Sequence, residues 1–525
     1  MYHLSRKRLE RLLESAGSTV MERSLKGLEK ESLRVTRDGN IAQSPHPECL
    51  GSALTHPWIT TDYSEALLEF ITPPHAEVAD ALRFLHDIHS HVYRCLNDEL
   101  LWVASMPCIV GGDRNIPIAN YGSSNIGRMK HIYRRGLDWR YGRAMQAIAG
   151  IHFNYSFSAD LLAALQSQFD DRRPAQAFTS DAYFGLIRNF QRFGWLIPLL
   201  FGASPAICRS FTGGENTGFE EFDETTFYEP YGTSLRMSDI GYKNKAQAAL
   251  NICYNDLDAY VDSLTRAIST EDPEYRRIGV KVGGEYRQLN ANILQIENEY
   301  YSFVRPKAVA RSGERPTLAL RRAGVEYVEI RALDLNPFEP LGMNSETLSF
   351  LEVLLVFCLL EDSPPIGPRE QCGINHNQGQ VARLGRHPGL LLYRNGGEKV
   401  LLRDWAMRML DAMHGMAELM DTAGVRSTGP RYGDVVGRCR ALVDDPSGTP
   451  SARILEEMSS RRESFIDFAM RASRRHEDHF RSAPPDPATV ERFRQAAARS
   501  LIEQRELEIS ETETFEEYLA RYMSQ

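Results

Sequence analysis

The sequence predicts an α+β fold, with strands in the first two thirds of the chain and a helix-rich final third. Residues 146–157 and 324–338 alternate apolar and polar side chains, as strands with one buried face do. From about residue 344 onward, apolar residues recur at helical spacing instead, and loops rich in Pro, Gly and Ser at 444–451 and 482–487 separate the helical stretches. Because strands and helices are segregated along the chain, α+β is favoured over alternating βαβ units.

The individual elements follow from the same periodicities. Residues 5–16 and 76–98 carry apolar residues at helical spacing with charges between them, so each predicts a helix. Between them we expect a hairpin that turns at residues 37–40 (RDGN) and a strand within 65–72. In the C-terminal third the predicted helical stretches are 345–362, 401–420, 451–480 and 487–509.

Composition excludes several functional classes. The 525 residues are 42% hydrophobic and 25% charged, with a formal net charge of −9, which is ordinary for a globular protein and gives no general attraction to nucleic acid or membrane. The apolar run WLIPLLFGA is too short and too interrupted by Pro to span a bilayer. The eight Cys form no C-x-x-C pair and no signal peptide is apparent, so we expect reduced thiols in a cytoplasmic protein.

The stretch GLEKESLRV (27–35) places two carboxylates on one face of a predicted strand. Glu29 and Glu31 are two residues apart, so their side chains point the same way, about 6.8 Å apart along the strand. At an effective dielectric constant of 20, two full charges at that distance repel by roughly 2.4 kcal/mol. Either this face is exposed to water, as is common for Glu, or a cation lies between the carboxylates.

Other predicted strands also carry an acid or a His on the face turned away from the core. His152 lies opposite Ile151 and Phe153, Glu69 opposite Leu68, and Glu329 opposite Val328. Together these faces resemble the polar inner surface of a curved antiparallel sheet, where the acids require cations. Several carboxylates with one imidazole and no thiolate suit hard ions such as Mg²⁺ or Mn²⁺.

Carboxylate-held Mg²⁺ commonly serves phosphate chemistry. No P-loop and no kinase motif is present, and the Gly-rich segment 212–218 is expected to be a flexible loop. His476 and His479, in the segment HEDHF, do not match the H-E-x-x-H zinc motif, and in so charged a helix we expect them to be solvated.

Eight long blocks of the sequence resemble the proteobacterial type of glutamate–cysteine ligase, also called γ-glutamylcysteine synthetase. The resemblance runs in order from about residue 26 to 340 and thins beyond 345. The blocks are GLEKESLRVTRDG (27–39), GSALTHPWITTDYSEALLEFITPP (51–74), YGSSNIGRMKHIYRRGL (121–137), AGIHFNYSF (149–157), RFGWLIPLLFGASPA (192–206), PYGTSLRMSDIGYKNK (230–245), NANILQIENEYYSFVRPK (290–307) and VEYVEIRALDLNPF (325–338).

The resemblance implies an ATP-dependent carboxylate–amine ligase that performs the first step of glutathione biosynthesis. ATP would phosphorylate the γ-carboxyl of L-glutamate, and the amine of L-cysteine would displace phosphate to give γ-glutamylcysteine. The implied fold is a glutamine-synthetase-like curved antiparallel β-sheet cup packed by helices. Residues 1–340 would form the catalytic cup, and the helix-rich region 341–525 would pack on it, with no ATP-grasp half following. Glutathione is expected as a feedback inhibitor, and the protein as a monomer.

The resemblance also implies roles for individual residues. Arg236 and Arg331 would be the catalytic cations, one holding glutamate and the other the phosphoryl group, and the residues alone leave open which does which. The implied metal shell, for Mg²⁺ or possibly Mn²⁺, is Glu29, Glu31, Asp62, Glu69, His152 and Glu329. The implied cysteine pocket is Tyr63, Tyr133, Leu137, Tyr242 and Tyr301, with Tyr63 standing where many relatives are expected to have Phe.

Each site residue has a structural alternative. His152 could be a sheet His satisfied by Asn154 or a neighbour, either Arg could form an ordinary ion pair with a metal-shell Glu, and each Tyr could belong to the core. Three other functions compete with the ligase: a related ligase with another amine acceptor, a metal-dependent hydrolase, and a protein that only binds an amino acid or a nucleotide. Release of ADP with and without cysteine would separate them.

Overall fold

A seven-stranded antiparallel sheet is the centre of the molecule. The computed structural model describes residues 2–214, 218–241, 250, 252–425, 428–482 and 486–525. In the main sheet the strands lie in the order β11-β12-β5-β1-β3-β2, and β4 pairs with the far end of β1. These seven strands are β1 (Leu25–Thr36), β2 (Ile59–Thr61), β3 (Leu67–Ile71), β4 (Glu99–Leu101), β5 (Ile151–Ser156), β11 (Val304–Lys307) and β12 (Tyr327–Leu333).

β1 is long enough, at 12 residues, to pair with three strands. One face of β1 packs on helices, where Leu28 is completely buried and the buried Lys26 and Lys30 contact Glu352 and His89. The other face carries the acids. Since every pairing in this sheet is antiparallel, directly opposed residues project to the same face. The acidic side chains of neighbouring strands are therefore brought to one surface.

Smaller sheets lie outside the main one. β6 (Ala206–Cys208), β7 (Glu220–Glu221) and β8 (Thr226–Tyr228) form a three-stranded sheet. Two hairpins consist of β9 (Lys281–Val282) with β10 (Glu285–Tyr286), and of β13 (Leu391–Arg394) with β14 (Glu398–Leu401).

Helices cover the edges of the main sheet and the face that carries Leu28, opposite to the acids. In the first two thirds of the chain they are α1 (Leu4–Ala16), α2 (Thr19–Glu22), α3 (Val78–Cys95), α4 (Asn125–Tyr141), α5 (Ala159–Gln168), α6 (Ala175–Phe193), α7 (Leu196–Phe201), α8 (Leu257–Ser269), α9 (Pro273–Ile278) and α10 (Pro316–Ala323). In the last third they are α11 (Ser345–Leu360), α12 (Pro368–Leu384), α13 (Leu402–Thr422), α14 (Tyr432–Asp444), α15 (Pro450–Arg461), α16 (Phe465–Ser482), α17 (Pro487–Ser510) and α18 (Phe515–Met523).

The C-terminal helices pack on the rest of the molecule through one hydrophobic core. α11 is apolar on all sides and almost entirely buried, and it contacts α1, α3 and α6. Asn344 caps its first turn by accepting a hydrogen bond from Thr347 N. α16 and α17 contact α3, and the last helix, α18, contacts α4. A mixed α+β architecture with antiparallel sheets is confirmed.

Several predicted elements differ from those observed. The turn at 37–40 returns to a single bridge between Val35 and Ile41 rather than to a second strand. The strand expected from residue 146 begins at Ile151, because Met145–Ala147 is a 3₁₀ turn. The stretch 451–480 divides into α15 and α16 at Arg462, whose φ of 56° ends the first helix in the left-handed region. The β13–β14 hairpin interrupts the predicted helical third.

Two expectations about individual side chains are wrong. Cys108 and Cys208 are joined in a disulfide, so not all cysteines are reduced thiols, whereas Cys49, Cys95, Cys253, Cys358, Cys372 and Cys439 are free. His476 is not solvated. It is only 4% exposed, because the charged helix α16 packs this side against α3, while His479 is exposed. Among the described residues, the structure contains no helix that is long and apolar enough to cross a membrane.

Candidate active site

Strand register brings the predicted acids together on one face of the main sheet. Glu29 lies directly opposite His152 on β5, and Glu31 lies directly opposite Glu69 on β3. Glu329, on β12, lies opposite Asn154, two residues along β5 from His152. Four neighbouring strands therefore contribute to a single patch, as the alternation of their side chains predicts.

Glu29, His152 and Glu329 form the tightest group. One ligand atom from each lies within 4.8 Å of the others, and this is the set among the described residues whose geometry suits a metal ion. His152 Nδ1 lies 3.0 Å from Glu29 Oε2 and 3.8 Å from Glu329 Oε1. Asn154 donates to Glu29 Oε1 at 2.8 Å, so of the two partners considered for a satisfied sheet His it is the neighbour Glu29, and not Asn154, that bonds His152.

The imidazole of His152 is set up to be neutral. Burial lowers its pKa, and the nearby Arg331 lowers it further, against the opposing effect of Glu29. A tautomer in which Nδ1–H donates to Glu29 leaves the Nε2 lone pair free, and Nε2 is buried without a hydrogen-bond partner. A neutral imidazole with a free nitrogen is the form that binds a metal ion.

Glu31 and Glu69 are carboxylates under mutual repulsion. Burial, together with the charge of Asp62, raises the pKa of Glu31 to about 8, even though Arg236 and Arg331 act in the other direction. Burial and the charges of Glu29, Asp62 and Glu31 raise the pKa of Glu69 well above its usual value. Gly150 N donates to Glu31 Oε2 at 2.6 Å and fixes the orientation of that carboxylate. These acids are therefore close together, and the positive charges near them do not outweigh burial and mutual repulsion.

Glu329 differs because it faces several cations. Burial alone would raise its pKa, but Lys307, Arg331, His152 and Arg305 outweigh burial and hold it well below the usual range. Its Oε1 lies 3.3 Å from Arg331 Nη1 and 3.7 Å from Lys307 Nζ, and its Oε2 is buried without a hydrogen-bond partner. The patch is therefore acidic towards β3 and basic towards β11.

The two predicted arginines occupy different environments. The Arg331 side chain is 14% exposed and lies on the acidic face beside Glu329 and His152. The Arg236 side chain is completely buried, where Nη2 donates to Arg331 O at 3.0 Å and Nη1 lies 3.7 Å from Asp334 Oδ1. Only a glycine at position 150 leaves room for it, because a Cβ there would lie 2.0 Å from Arg236 Nη2. The alternative of an ordinary ion pair with a metal-shell Glu is therefore present for Arg331, with Glu329, whereas Arg236 pairs with Asp334.

Two of the residues predicted to surround cysteine lie on α4. Tyr133 and Leu137 are one turn apart on this helix, and the Tyr133 phenol is close enough to Tyr301 that the two interact electrostatically. Tyr301 Oη donates to Gln146 Oε1 at 3.0 Å. Tyr63 is 1% exposed, and its hydroxyl has no hydrogen-bond partner. Tyr242 lies outside the described residues.

The sequence reasoning missed four residues that belong to this surface. Arg305 and Lys307 alternate with Val304 and Pro306 on β11, a pattern that could have identified them. Arg134 and Lys130 are one turn apart on α4, and the charge of each acts on Glu69. Arg134 Nε also donates to Asp62 O at 2.5 Å. No short motif marks these two, since their role depends on how α4 packs.

Comparison with known proteins places this site in a family. The family model described as glutamate–cysteine ligase matches residues 9–381. The glutamate–cysteine ligase of Alcanivorax borkumensis is 50% identical over 532 residues, covering 99% of each chain. That of Pseudomonas paraeruginosa is 48% identical over 524 residues, covering 100% of this chain and 98% of its own. The similarity thus extends beyond residue 345, where the resemblance in the sequence had thinned.

Solved structures agree in fold. The glutamate–cysteine ligase of Francisella tularensis, solved in complex with AMP, has a TM-score of 0.89 at 39% identity, covering 95% of this chain and 97% of its own. A bifunctional glutathione synthetase from Pasteurella multocida has the same fold, with a TM-score of 0.72 at 24% identity, and this chain covers 58% of it. From the family match and the extent of identity, the chain belongs to the glutamate–cysteine ligase family and is a ligase.

Proposed function

We propose that the acidic face of the main sheet is the place where this ligase joins its substrates. The activity is ATP-dependent formation of γ-glutamylcysteine, the first step of glutathione biosynthesis. The observation that carries the proposal is the convergence of Glu29, His152 and Glu329, from three neighbouring strands, within 4.8 Å of one another. An acid-lined surface of this kind would repel both a glutamate carboxylate and a triphosphate unless cations lay between them.

The residues fit a hard divalent cation. Crowded carboxylates, a neutral imidazole with a free Nε2 and an unpartnered Glu329 Oε2 are the donor set expected for Mg²⁺, with Mn²⁺ as the alternative. When bound, the cation would neutralise charge on the phosphoryl oxygens. The residues that would hold it are Glu29, Glu31, Asp62, Glu69, His152 and Glu329.

The cationic side of the patch would orient the transferred group. Arg331 is partly exposed beside the acids, so its guanidinium can donate two hydrogen bonds to a pair of oxyanion oxygens and stabilise the phosphoryl group during transfer. Arg236 is completely buried, and we assign it the supporting task of balancing Glu31 and holding the backbone of Arg331. Lys307 and Arg305 add positive charge at the same edge.

The reaction then follows from carboxylate and amine chemistry. The γ-carboxylate of L-glutamate takes the terminal phosphoryl group of ATP, and ADP leaves. The amine of L-cysteine attacks the activated carbonyl carbon, so that a C–N bond forms while the bond to the phosphate oxygen breaks. The amine loses a proton and phosphate departs. The chain's own contribution is to hold the two substrates in line and to match the developing charge.

We place the acceptor at α4. Tyr133, Leu137, Tyr301 and Tyr63, with Tyr242 from outside the described residues, would surround the small, weakly polar side chain of cysteine. A buried leucine on the same face as a phenol supports this, because such a pocket suits a thiol.

The architecture is proposed at finer detail as a glutamine-synthetase-like curved β-sheet cup. Residues 1–340 would form the catalytic cup, and 341–525 a helical layer packed on it. In support, all seven strands of the main sheet and all the acids of the proposed metal shell lie before residue 340. The first helix after that point, α11, packs on α1, α3 and α6. We further propose that the protein is a cytoplasmic monomer. We also propose that glutathione inhibits it, since glutathione contains the γ-glutamylcysteine unit of the product.

One assay tests the function. Purified protein is incubated with Mg²⁺, ATP and L-glutamate, and ADP release is followed with and without L-cysteine. We expect rapid ADP release only when both amino acids and Mg²⁺ are present, and loss of the signal on chelation. Equal release with another amine in place of cysteine would indicate a related ligase, and absence of ADP release under every condition would indicate a hydrolase that does not consume ATP or a protein that only binds an amino acid or a nucleotide.

A further inference from the structure

A buried ion pair joins the two segments that carry the proposed cysteine pocket. Arg140, in the last turn of α4, places Nη1 3.0 Å from Oε1 of Glu299, and both side chains are completely inaccessible to solvent. α4 carries Tyr133 and Leu137, and Glu299 precedes Tyr301 by two residues. The pair lies outside the acidic patch and has no role in the reaction as described above.

The side chain of Arg140 donates hydrogen bonds to several groups between residues 288 and 299. Its Nε donates to Gln288 Oε1 at 3.0 Å, and its Nη2 donates to Asn290 O at 2.9 Å. Its guanidinium also lies over the Tyr275 ring, 4.1 Å from the centroid. Lysine offers one point charge and cannot reproduce this set of directed bonds.

Glu299 collects donors from both segments. Its Oε1 accepts from Arg140 and from Tyr141 Oη, the latter at 2.7 Å, and its Oε2 accepts from Gln295 N at 2.6 Å. A buried carboxylate with charge-assisted bonds on both oxygens cannot rotate freely, since any other rotamer would leave a buried charge unpaired.

Gln295 extends this network to the pocket itself. Its side-chain amide donates to Tyr133 O at 3.2 Å and its Oε1 accepts from Leu289 N. It lies so close to α4 that a Cβ on Gly136 would be 2.0 Å from Gln295 Oε1. The position of Tyr133 on α4 is thus tied directly to the loop that leads to Tyr301.

We propose that Arg140 and Glu299 are positioning residues for the cysteine acceptor, which fix α4 against residues 288–301 and so set the spacing of Tyr133 and Tyr301. The inference rests on the proposed assignment of these two tyrosines to the cysteine pocket. Disturbing the pair should therefore misplace cysteine more than the metal shell, ATP and glutamate, because the proposed metal-shell residues Glu29, His152 and Glu329 lie on strands of the main sheet and not on α4 or residues 288–301.

The test is a split of kinetic constants in Glu299→Gln, which keeps shape but removes the charge. We expect the KM for cysteine to rise by about tenfold or more, because small misplacements in a pocket are costly. The KM values for glutamate and ATP should stay within about twofold of wild type. The KM for 2-aminobutyrate, which replaces the thiol by a methyl group, should rise in parallel, because pocket spacing rather than thiol chemistry has changed.

A matched control exists in the chain. Lys26 and Glu352 form another buried pair, 3.0 Å apart with side chains 7% and 3% exposed. This pair lies on the face of the main sheet opposite to the acids. Glu352→Gln should lower thermal stability to a similar degree and leave the KM for cysteine unchanged. Should Glu299→Gln fail to fold, Tyr141→Phe, which removes one hydrogen bond to Glu299, should raise the KM for cysteine several-fold, as one lost bond does.

The outcomes separate two failures. If wild type releases no ADP in response to cysteine, the proposed function itself is wrong. Suppose instead that wild type is active, but Glu299→Gln or the folded Tyr141→Phe raises the KM values for cysteine, glutamate and ATP equally, or has the same KM for cysteine as Glu352→Gln. The pair is then merely structural, and the positioning role is overturned.

Discussion

Glu31 and Glu69 face each other across β1 and β3, and this single pairing is the main reason why we propose a cation at the site. Register forces the two carboxylates to the same face, and Asp62 adds a third charge nearby. No Lys or Arg lies directly opposite either of them in the sheet. The alternative in which this face is simply wet does not fit Glu31, which is only 4% exposed.

Glu29→Gln tests the acidic patch at the level of one residue. Gln keeps the size of the side chain and can still accept from Asn154, so we expect the fold to persist. It removes one charge from the proposed metal shell and weakens the bond that orients His152, which should lower activity by about 10- to 100-fold. The measurement is kcat against Mg²⁺ concentration, with circular dichroism as the folding control. Wild-type turnover at low Mg²⁺ would contradict the assignment.

His56 provides a pH prediction away from the site. Its Nδ1 accepts from Trp58 N at 3.1 Å and from Ile59 N at 2.9 Å, so the neutral form is built into the fold. Burial, with a contribution from His91, lowers its pKa to about 4 from an unfolded value of 6.5. Because the folded pKa is depressed, this stabilisation is complete above about pH 6.5 and is lost as the pH falls towards 4.

His56→Asn should remove that component of acid sensitivity. The Asn side-chain oxygen can accept from the same backbone N–H groups but does not titrate. We expect the slope of unfolding free energy against pH, between pH 4 and 6.5, to decrease by up to about 1.4 kcal/mol per pH unit, the value for one proton. Urea unfolding at several pH values measures it. An unchanged slope would mean that His56 does not titrate in this range.

At the scale of elements, the critical packing is the close approach of Gly150, just before β5, to Arg236 in the 3₁₀ turn Leu235–Met237. Gly150→Ala should displace the buried guanidinium, since the new Cβ would lie 2.0 Å from Nη2, and so disturb the backbone of Arg331. We expect activity to fall by at least about tenfold. Gly185→Ala in α6, where the nearest atoms are 3.8 Å away, is the control and should keep full activity with equal or higher stability. Retained activity in Gly150→Ala would remove the supporting role given to Arg236.

The sequence predicted those elements whose signal is local. Alternation identified β1, β3, β5 and β12, and helical spacing identified α1, α3, α11 and α13. Most of these elements bury one face against the core, and α11 is buried on all sides. Prediction from the sequence failed where packing between distant segments determines the structure. The break at Arg462, the burial of His476 and the β13–β14 hairpin depend on contacts between segments far apart in sequence.

The residues of the site also fall into two groups, those that the local sequence predicts and those that depend on packing. Glu29, Glu31, Glu69, His152 and Glu329 share a face because a strand has a period of two, so their convergence followed once the strands were paired. Lys130, Arg134 and the Arg140–Glu299 pair depend on how α4 packs against the loop from 288 to 301. Nothing in the local sequence specifies that arrangement.

At the scale of the whole molecule, one core joins the proposed catalytic cup to the helical layer. Leu9 and Leu12 of α1 line a small cavity with Val356 and Leu360 of α11, and this cluster extends to Phe493 of α17. Arg37, just after β1, also forms a two-pronged ion pair with Glu477 of α16.

A shared core predicts that the two regions unfold together. We expect a single calorimetric transition for the full chain, with the van't Hoff enthalpy equal to the calorimetric enthalpy. Two transitions, with activity lost in only one of them, would indicate that residues 341–525 form an independent domain.

The central claim is that the acids on the main sheet hold a divalent cation for phosphoryl transfer, and Mn²⁺ titration tests it most directly. Free Mn²⁺ is followed by electron paramagnetic resonance with a non-hydrolysable ATP analogue present, for wild type, Glu329→Gln and the control Glu352→Gln. We predict binding by wild type and by Glu352→Gln, and affinity at least about tenfold weaker for Glu329→Gln. Identical Mn²⁺ affinity in all three proteins would contradict the claim.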